Sequence, residues 1–161
     1  ELQFATALLQ EIMDFMREKE LISVLHVCRG NWSKNEGILL SGSYTPLVPL
    51  FSAVLPSVLA LEYSTKRAGD LASLLENERI REHCILGLGV INPRIDIVET
   101  RESIVRRAEE ALQYLPKERL WLNPDCGFAT FANRPVNVLP CIEKKLQELH
   151  FAQEYLRKER G

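Results

Sequence analysis

Residues 84–92 read CILGLGVIN, a run that is apolar at odd and even positions alike. Side chains along a strand alternate between two faces, so a strand of this composition is covered on both. The GLG within it invites a dinucleotide-binding reading. That fingerprint needs a third glycine opening a helix, and Asn92 stands where the glycine belongs. What remains is a strand inside a parallel sheet with helices on its faces.

Three more segments read the same way: LISVLHVC (21–28), SVLALEYS (57–64) and RLWLNPDC (119–126), the last stopped by Pro124 and Gly127. Between and around them lie helical patterns. Leu2, Ala5, Leu8, Leu9, Ile12, Met13 and Met16 recur at three- and four-residue spacing and predict a helix over 2–17. YTPLVPLFSAVLP predicts a helical stretch started or interrupted by Pro46 and Pro49. Helical spacing returns from Arg67 to Arg79, from about Glu99 to Leu115, and after Pro140. The order is one leading helix followed by four βα units. The fold class is therefore α/β, and four parallel strands are either a small open sheet or half of an eight-stranded barrel.

Composition narrows the function classes. A chain of 161 residues reads as one domain, able to bury about two-thirds of its unfolded surface. Its 20 basic and 22 acidic residues nearly cancel, without long blocks of either sign, so the footprint of a nucleic-acid binder is missing. No apolar run approaches the roughly 18 residues of a membrane span, and the opening ELQFATALLQ does not read as a signal peptide. Four cysteines without framework spacing fit reduced thiols and a cytoplasmic setting. The chain opens on Glu1 rather than Met, which suggests that Glu1 is not a natural start.

Chemically able residues gather at the carboxyl ends of the expected strands, the rim where parallel α/β folds collect ligands. His26 and Cys28, two apart in one strand, share a face. Glu62 ends the second strand and Cys126 the fourth. Together they supply four zinc-competent donors. Each also has an ordinary explanation, since single cysteines pack as small hydrophobes and a glutamate at a strand end is commonly solvated or salt-bridged. Cys84 begins a strand at the opposite rim and Cys141 begins the last helix, so both read as packing or surface thiols. Arg29 and Asn31 follow the first donors and either contact a substrate or shape a turn, and Asp125 precedes Cys126. Arg67, in STKRAGD, is a candidate for binding a carboxylate or phosphate, with a plain helix start at Asp70 as the other reading. Gly87 and Gly89 share one face, where missing side chains would let a ligand approach.

HVCRGNW, LEYSTKRAGD, LGLGVIN…VET and ERLWLNPDCGF, in that order, resemble the carboxyl-terminal catalytic barrel of cobalamin-independent methionine synthases, the short core-type members above all. The likeness spans most of residues 21 to 131. It implies a TIM-type (βα)₈ barrel of which this chain is the C-terminal half, (βα)₄ with a leading helix, so that residues 1–161 form a single partial domain. It further implies methyl transfer to the thiol of homocysteine, forming methionine, with Zn²⁺ held by His26, Cys28, Glu62 and Cys126. Arg29, Asn31, Arg67 and Asp125 are then the candidates for substrate contact.

Two departures qualify the resemblance. The family's full-length members carry a histidine shortly after the third of these strands, thought to protonate the departing folate nitrogen. GVINPRIDIVET has none, which puts methyltetrahydrofolate in doubt and brings forward a methyl-corrinoid donor. The amino-terminal half-barrel is also missing, so the chain alone is expected to be inactive and to need that half or a copy of itself. The alternatives are alkyl transfer to another thiol, such as coenzyme M, and a non-catalytic zinc-binding half-barrel that pairs with a partner. Nucleic-acid and membrane partners are not expected.

Overall fold

The structure, a computed structural model, describes residues 1–159. Helix α1 (Leu2–Glu18) leads into strand β1 (Val24–Val27), followed by α2 (Val48–Val54) and β2 (Val58–Glu62). Two short helices, α3 (Ala72–Leu75) and α4 (Glu78–His83), precede β3 (Ile85–Ile91). Helix α5 (Arg101–Ala111), β4 (Leu120–Pro124), a small hairpin of β5 (Ala129–Phe131) and β6 (Arg134–Pro135), and the long α6 (Leu139–Glu159) complete the chain. Strands β1 to β4 form one parallel sheet in sequence order. This is the α/β half-barrel arrangement expected from the sequence.

The elements form for local reasons. Pro46 sits in a 3₁₀ turn at Thr45–Leu47, and Pro49 in the first turn of α2, where its missing N–H costs nothing. Thr100 caps α5 by accepting the Ser103 N–H. The helix expected over Arg67–Arg79 is broken in the structure. Gly69 takes φ +79, the Asp70 carboxylate accepts the Ser73 N–H at 2.9 Å, and Asn77 caps a fresh helix through the Ile80 N–H. These side-chain bonds offer the backbone an alternative to continuous helix.

Register fixes the faces. Val24, His26 and the following Cys28 lie level with Val58, Ala60 and Glu62, then Gly87 and Gly89, then Trp121 and Asn123. The opposite parity, with Leu25, Val27, Leu59, Leu61, Leu86, Leu88, Leu120 and Leu122, packs toward the helices. Leu59, Leu61 and Leu88 are fully buried there, each contributing roughly 1.5–3 kcal/mol. An alternation that puts Leu122 on the inner face therefore fails; Trp121 occupies that face and is 49% exposed. Val24 on the same face is 55% exposed.

The connection after β3 is firmly tied. Lys145 of α6, fully buried, donates to the Ile97 carbonyl at 2.5 Å and to Glu99 at 2.7 Å. Glu99 in turn accepts the Asn92 N–H at 2.8 Å. Among the described residues, no helix is long and apolar enough to cross a membrane.

Candidate metal centre

At the carboxyl ends of the strands, the ligand atoms of His26, Cys28 and Cys126 all lie within 4.8 Å of one another. His26 Nδ1 is 2.9 Å from the Ala60 carbonyl, so with Nδ1 protonated the free Nε2 faces Cys126 Sγ at 3.5 Å. Zinc–sulfur and zinc–nitrogen bonds of about 2.3 and 2.0 Å put tetrahedral donors roughly 3.5 Å apart, which this spacing suits. Burial first, then the hydrogen bond to Glu62 and the charges of Glu62 and Cys28, push the Cys126 thiol well above its ordinary range. A cation among the donors removes that penalty by taking the thiolate form. The residues fit zinc.

Glu62 is adjacent to this group without being part of it. Its Oε1 accepts from Cys126 Sγ at 3.2 Å and from Arg94 Nη1 at 3.3 Å, while Oε2 accepts the Arg29 N–H at 3.2 Å. The carboxylate is 3% exposed. Its backbone is set by Tyr44, whose hydroxyl donates to the Val27 carbonyl at 2.8 Å and accepts the Glu62 N–H at 3.0 Å. One phenol thus fastens the ends of β1 and β2, and burial raises its own pKa to about 12.

The four substrate candidates are all engaged within the protein. Arg29 lies over the Tyr44 ring at 4.0 Å and donates to the Gly42 carbonyl at 2.6 Å. Asn31 donates to the Gly127 carbonyl at 2.6 Å. Arg67 reaches the carbonyls of Glu36 and Leu40 at 3.4 Å, stapling the loop after β1. Asp125 accepts the N–H groups of Tyr63 and Ser64 at 3.1 and 3.0 Å, and the Ser64 hydroxyl as well, tying the end of β4 to the end of β2. Burial raises its pKa to about 6, against the pull of the Ser64 bonds and of the Arg94 charge.

The two glycines of β3 serve these side chains rather than an approaching ligand. A Cβ on Gly89 would fall 2.3 Å from Asp125 Oδ1, and one on Gly87 3.0 Å from Asn123 Oδ1. Arg94 was not singled out by the sequence. It is fully buried and lies against three carboxylates: Glu36 at 3.4 Å, Glu62 at 3.3 Å and Asp125 at 3.6 Å. Its place in NPRID, directly after a strand ending at the rim, was the available signal.

A family profile described as the catalytic domain of cobalamin-independent synthases matches residues 25–138, the span from β1 through the hairpin. The chain belongs to that family. Among similar proteins, the uncharacterized Bacillus subtilis protein YxjG is 30% identical over 79% of this chain and 32% of its own length. A methionine synthase of Thermococcus kodakarensis is 30% identical over 78% of this chain and 34% of its own. A 5-methyltetrahydropteroyltriglutamate–homocysteine methyltransferase of Blochmanniella pennsylvanica is 32% identical over 68% of this chain and 14% of its own. The chain thus spans about a third or less of these relatives. Among solved structures, a B12-independent methionine synthase from a Shewanella species superposes with TM-score 0.68 at 20% identity, over 94% of this chain and 46% of that one. At that identity the likeness carries the fold.

Proposed function

We propose that this chain is the zinc-carrying half of a barrel that transfers a methyl group to the thiol of homocysteine, forming methionine. The observation that carries the reading is the meeting of His26, Cys28 and Cys126 from two strand ends, with the imidazole turned by the Ala60 carbonyl. Family membership supports it, as do relatives named for this reaction. His26, Cys28 and Cys126 would hold the ion, and Glu62, itself held by Arg94, would compete with the thiol for a fourth, exchangeable position. Zinc there supplies acidification of the acceptor thiol, so that sulfur attacks as thiolate at neutral pH.

In the transfer, the thiolate sulfur forms a bond to the methyl carbon as the bond from that carbon to the donor breaks. The leaving group departs with the electron pair. A folate nitrogen needs a proton at that moment. Neither polar side chain that opens the loop after β3 supplies it: Asn92 is bound to Glu36 at 2.6 Å, and Arg94 keeps its protons at any physiological pH. Hydrogen bonding by Asn92 and the charges of Arg67 and Arg94, outweighing partial burial, keep Glu36 ionised. A methyl-corrinoid, whose leaving group needs no proton, is the donor this loop favours.

The rest of the pocket must come from elsewhere. Both sheet edges, β1 and β4, are unpaired within the described chain, and Val24 and Trp121 line an open inner face. Phe4, Leu8, Ile12 and Phe15 make an exposed apolar stripe along α1. These surfaces suit the amino-terminal half-barrel, or failing that a second copy.

The deciding experiment supplies the amino-terminal half of a family member, then assays methyl transfer from methylcobalamin and from methyltetrahydrofolate. Homocysteine should be methylated, and methylcobalamin should serve better, since loss of a proton donor costs about 10²–10⁴-fold with folate. Preference for coenzyme M over homocysteine would change the acceptor. Zinc binding without any transfer would leave a binding module.

A further inference from the structure

Resting on the zinc-site reading, we infer that Arg94 is a positioning residue: it competes with the metal for Glu62 and so keeps the fourth coordination position open to a thiol. Glu62 Oε1 is the atom beside Cys126 Sγ, at 3.2 Å, and Arg94 Nη1 holds that same atom at 3.3 Å. Arg29 holds the other oxygen, Oε2, through its backbone N–H at 3.2 Å and its guanidinium at 3.7 Å. Of the two arginines, Arg94 therefore decides whether Glu62 turns toward the His26, Cys28 and Cys126 donors.

Arg94 is built to stay where it is. Its guanidinium is 0% exposed, Nε donates to Glu36 Oε1 at 3.4 Å, and Nη1 also donates to the Gly30 carbonyl at 3.3 Å. Its own N–H is bound by Asn92 at 3.0 Å, in the loop that Glu99 and Lys145 anchor. Nη2 is buried without a hydrogen-bond partner among the described residues, 3.6 Å from Asp125 Oδ2. A fixed cation so close to the carboxylate favours the pair over a carboxylate–metal bond. Two thiolates and an imidazole then carry the metal, and the hard oxygen ligand is the one that exchanges.

The test uses the Co²⁺-substituted protein, whose visible absorption reports its ligands, with homocysteine as the thiol probe and a chelator to measure retention. Glu62→Gln should lower metal retention by no more than about tenfold, whereas Cys126→Ser should lower it by about 100-fold or more. Arg94→Met should weaken homocysteine binding about tenfold, the worth of one charged hydrogen bond, because the freed carboxylate now occupies the fourth position. Arg94→Lys, which keeps the charge, should restore most of that loss and covers the case in which Arg94→Met fails to fold. In the Glu62→Gln background, Arg94→Met should have no further effect on thiol binding.

Loss of metal in Glu62→Gln as severe as in Cys126→Ser would overturn the inference, and so would equal thiol binding by wild type and Arg94→Met. If the wild-type protein took up no metal at all, the zinc-site reading would fall with it; normal uptake with an inert Arg94 would remove this inference alone.

Discussion

Gly89→Ala adds one methyl group at the most crowded point of the rim. The new Cβ would lie 2.3 Å from Asp125 Oδ1, 2.7 Å from the Leu61 carbonyl oxygen and 3.0 Å from Asp125 Cα. Turning the Asp125 side chain relieves the first contact, but the other two are with backbone. Turning it also releases the Ser64 N–H, now held at 3.0 Å, and the Ser64 hydroxyl, while the Tyr63 N–H keeps the Gly89 carbonyl at 3.1 Å. Overpacking costs about 1–3 kcal/mol, and losing the charged acceptor of the Ser64 groups adds about 1.5–3, for roughly 2.5–6 kcal/mol in all. Gly87→Ala is the control. Its Cβ would meet Asn123 Oδ1 at 3.0 Å and Ala60 at 3.2 Å, and a small shift of Asn123 relieves most of this, for about 1 kcal/mol. Urea unfolding of the two variants beside wild type measures both costs. Because Asp125 adjoins Cys126, Gly89→Ala should also lose zinc to a chelator sooner. Equal unfolding midpoints for the two variants would refute the reasoning.

Four other outcomes follow. Tyr44→Phe removes a hydroxyl bonded to both Val27 and Glu62 and should cost about 1–3 kcal/mol, whereas Tyr63→Phe removes a buried hydroxyl without a partner among the described residues and should cost nearly nothing; thermal melts of the pair compare them. Burial raises the Cys84 thiol from 9.0 to about 11, so at pH 8 it should resist a thiol reagent that labels the exposed Cys28 of metal-free protein. Since its folded pKa lies above its unfolded one, its contribution to stability is whole below pH 9 and lost as pH rises through about 11; Cys84→Ala should flatten the stability profile there. Light scattering of the chain alone should report association through its open face, and a stable monomer at high concentration would count against the half-barrel's need for a partner.

The βα order was legible because each strand is apolar on both faces and each long helix carries a regular stripe. The break of Arg67–Arg79 into shorter helices was not, because it depends on Asp70 and Asn77 bonding to nearby N–H groups, which periodicity does not record. The β5–β6 hairpin escaped for a similar reason: its strands are short, exposed and without alternation. Of the site, the donors could be read from strand ends. The neighbours of Glu62 could not, since Arg94 reaches it across 32 residues of sequence and looks like any loop arginine until the fold closes around it. Which of Trp121 and Leu122 faces inward could not be read without a register, which only pairing with β3 supplies.

The central claim is that His26, Cys28 and Cys126, with Glu62 beside them, form one zinc site. Elemental analysis of protein purified without chelators tests it directly. The wild type should carry close to one zinc per chain, most of it lost in Cys28→Ser and Cys126→Ser, with wild-type content in Cys84→Ser and Cys141→Ser. Equal loss from all four changes, or no zinc in the wild type, would contradict it.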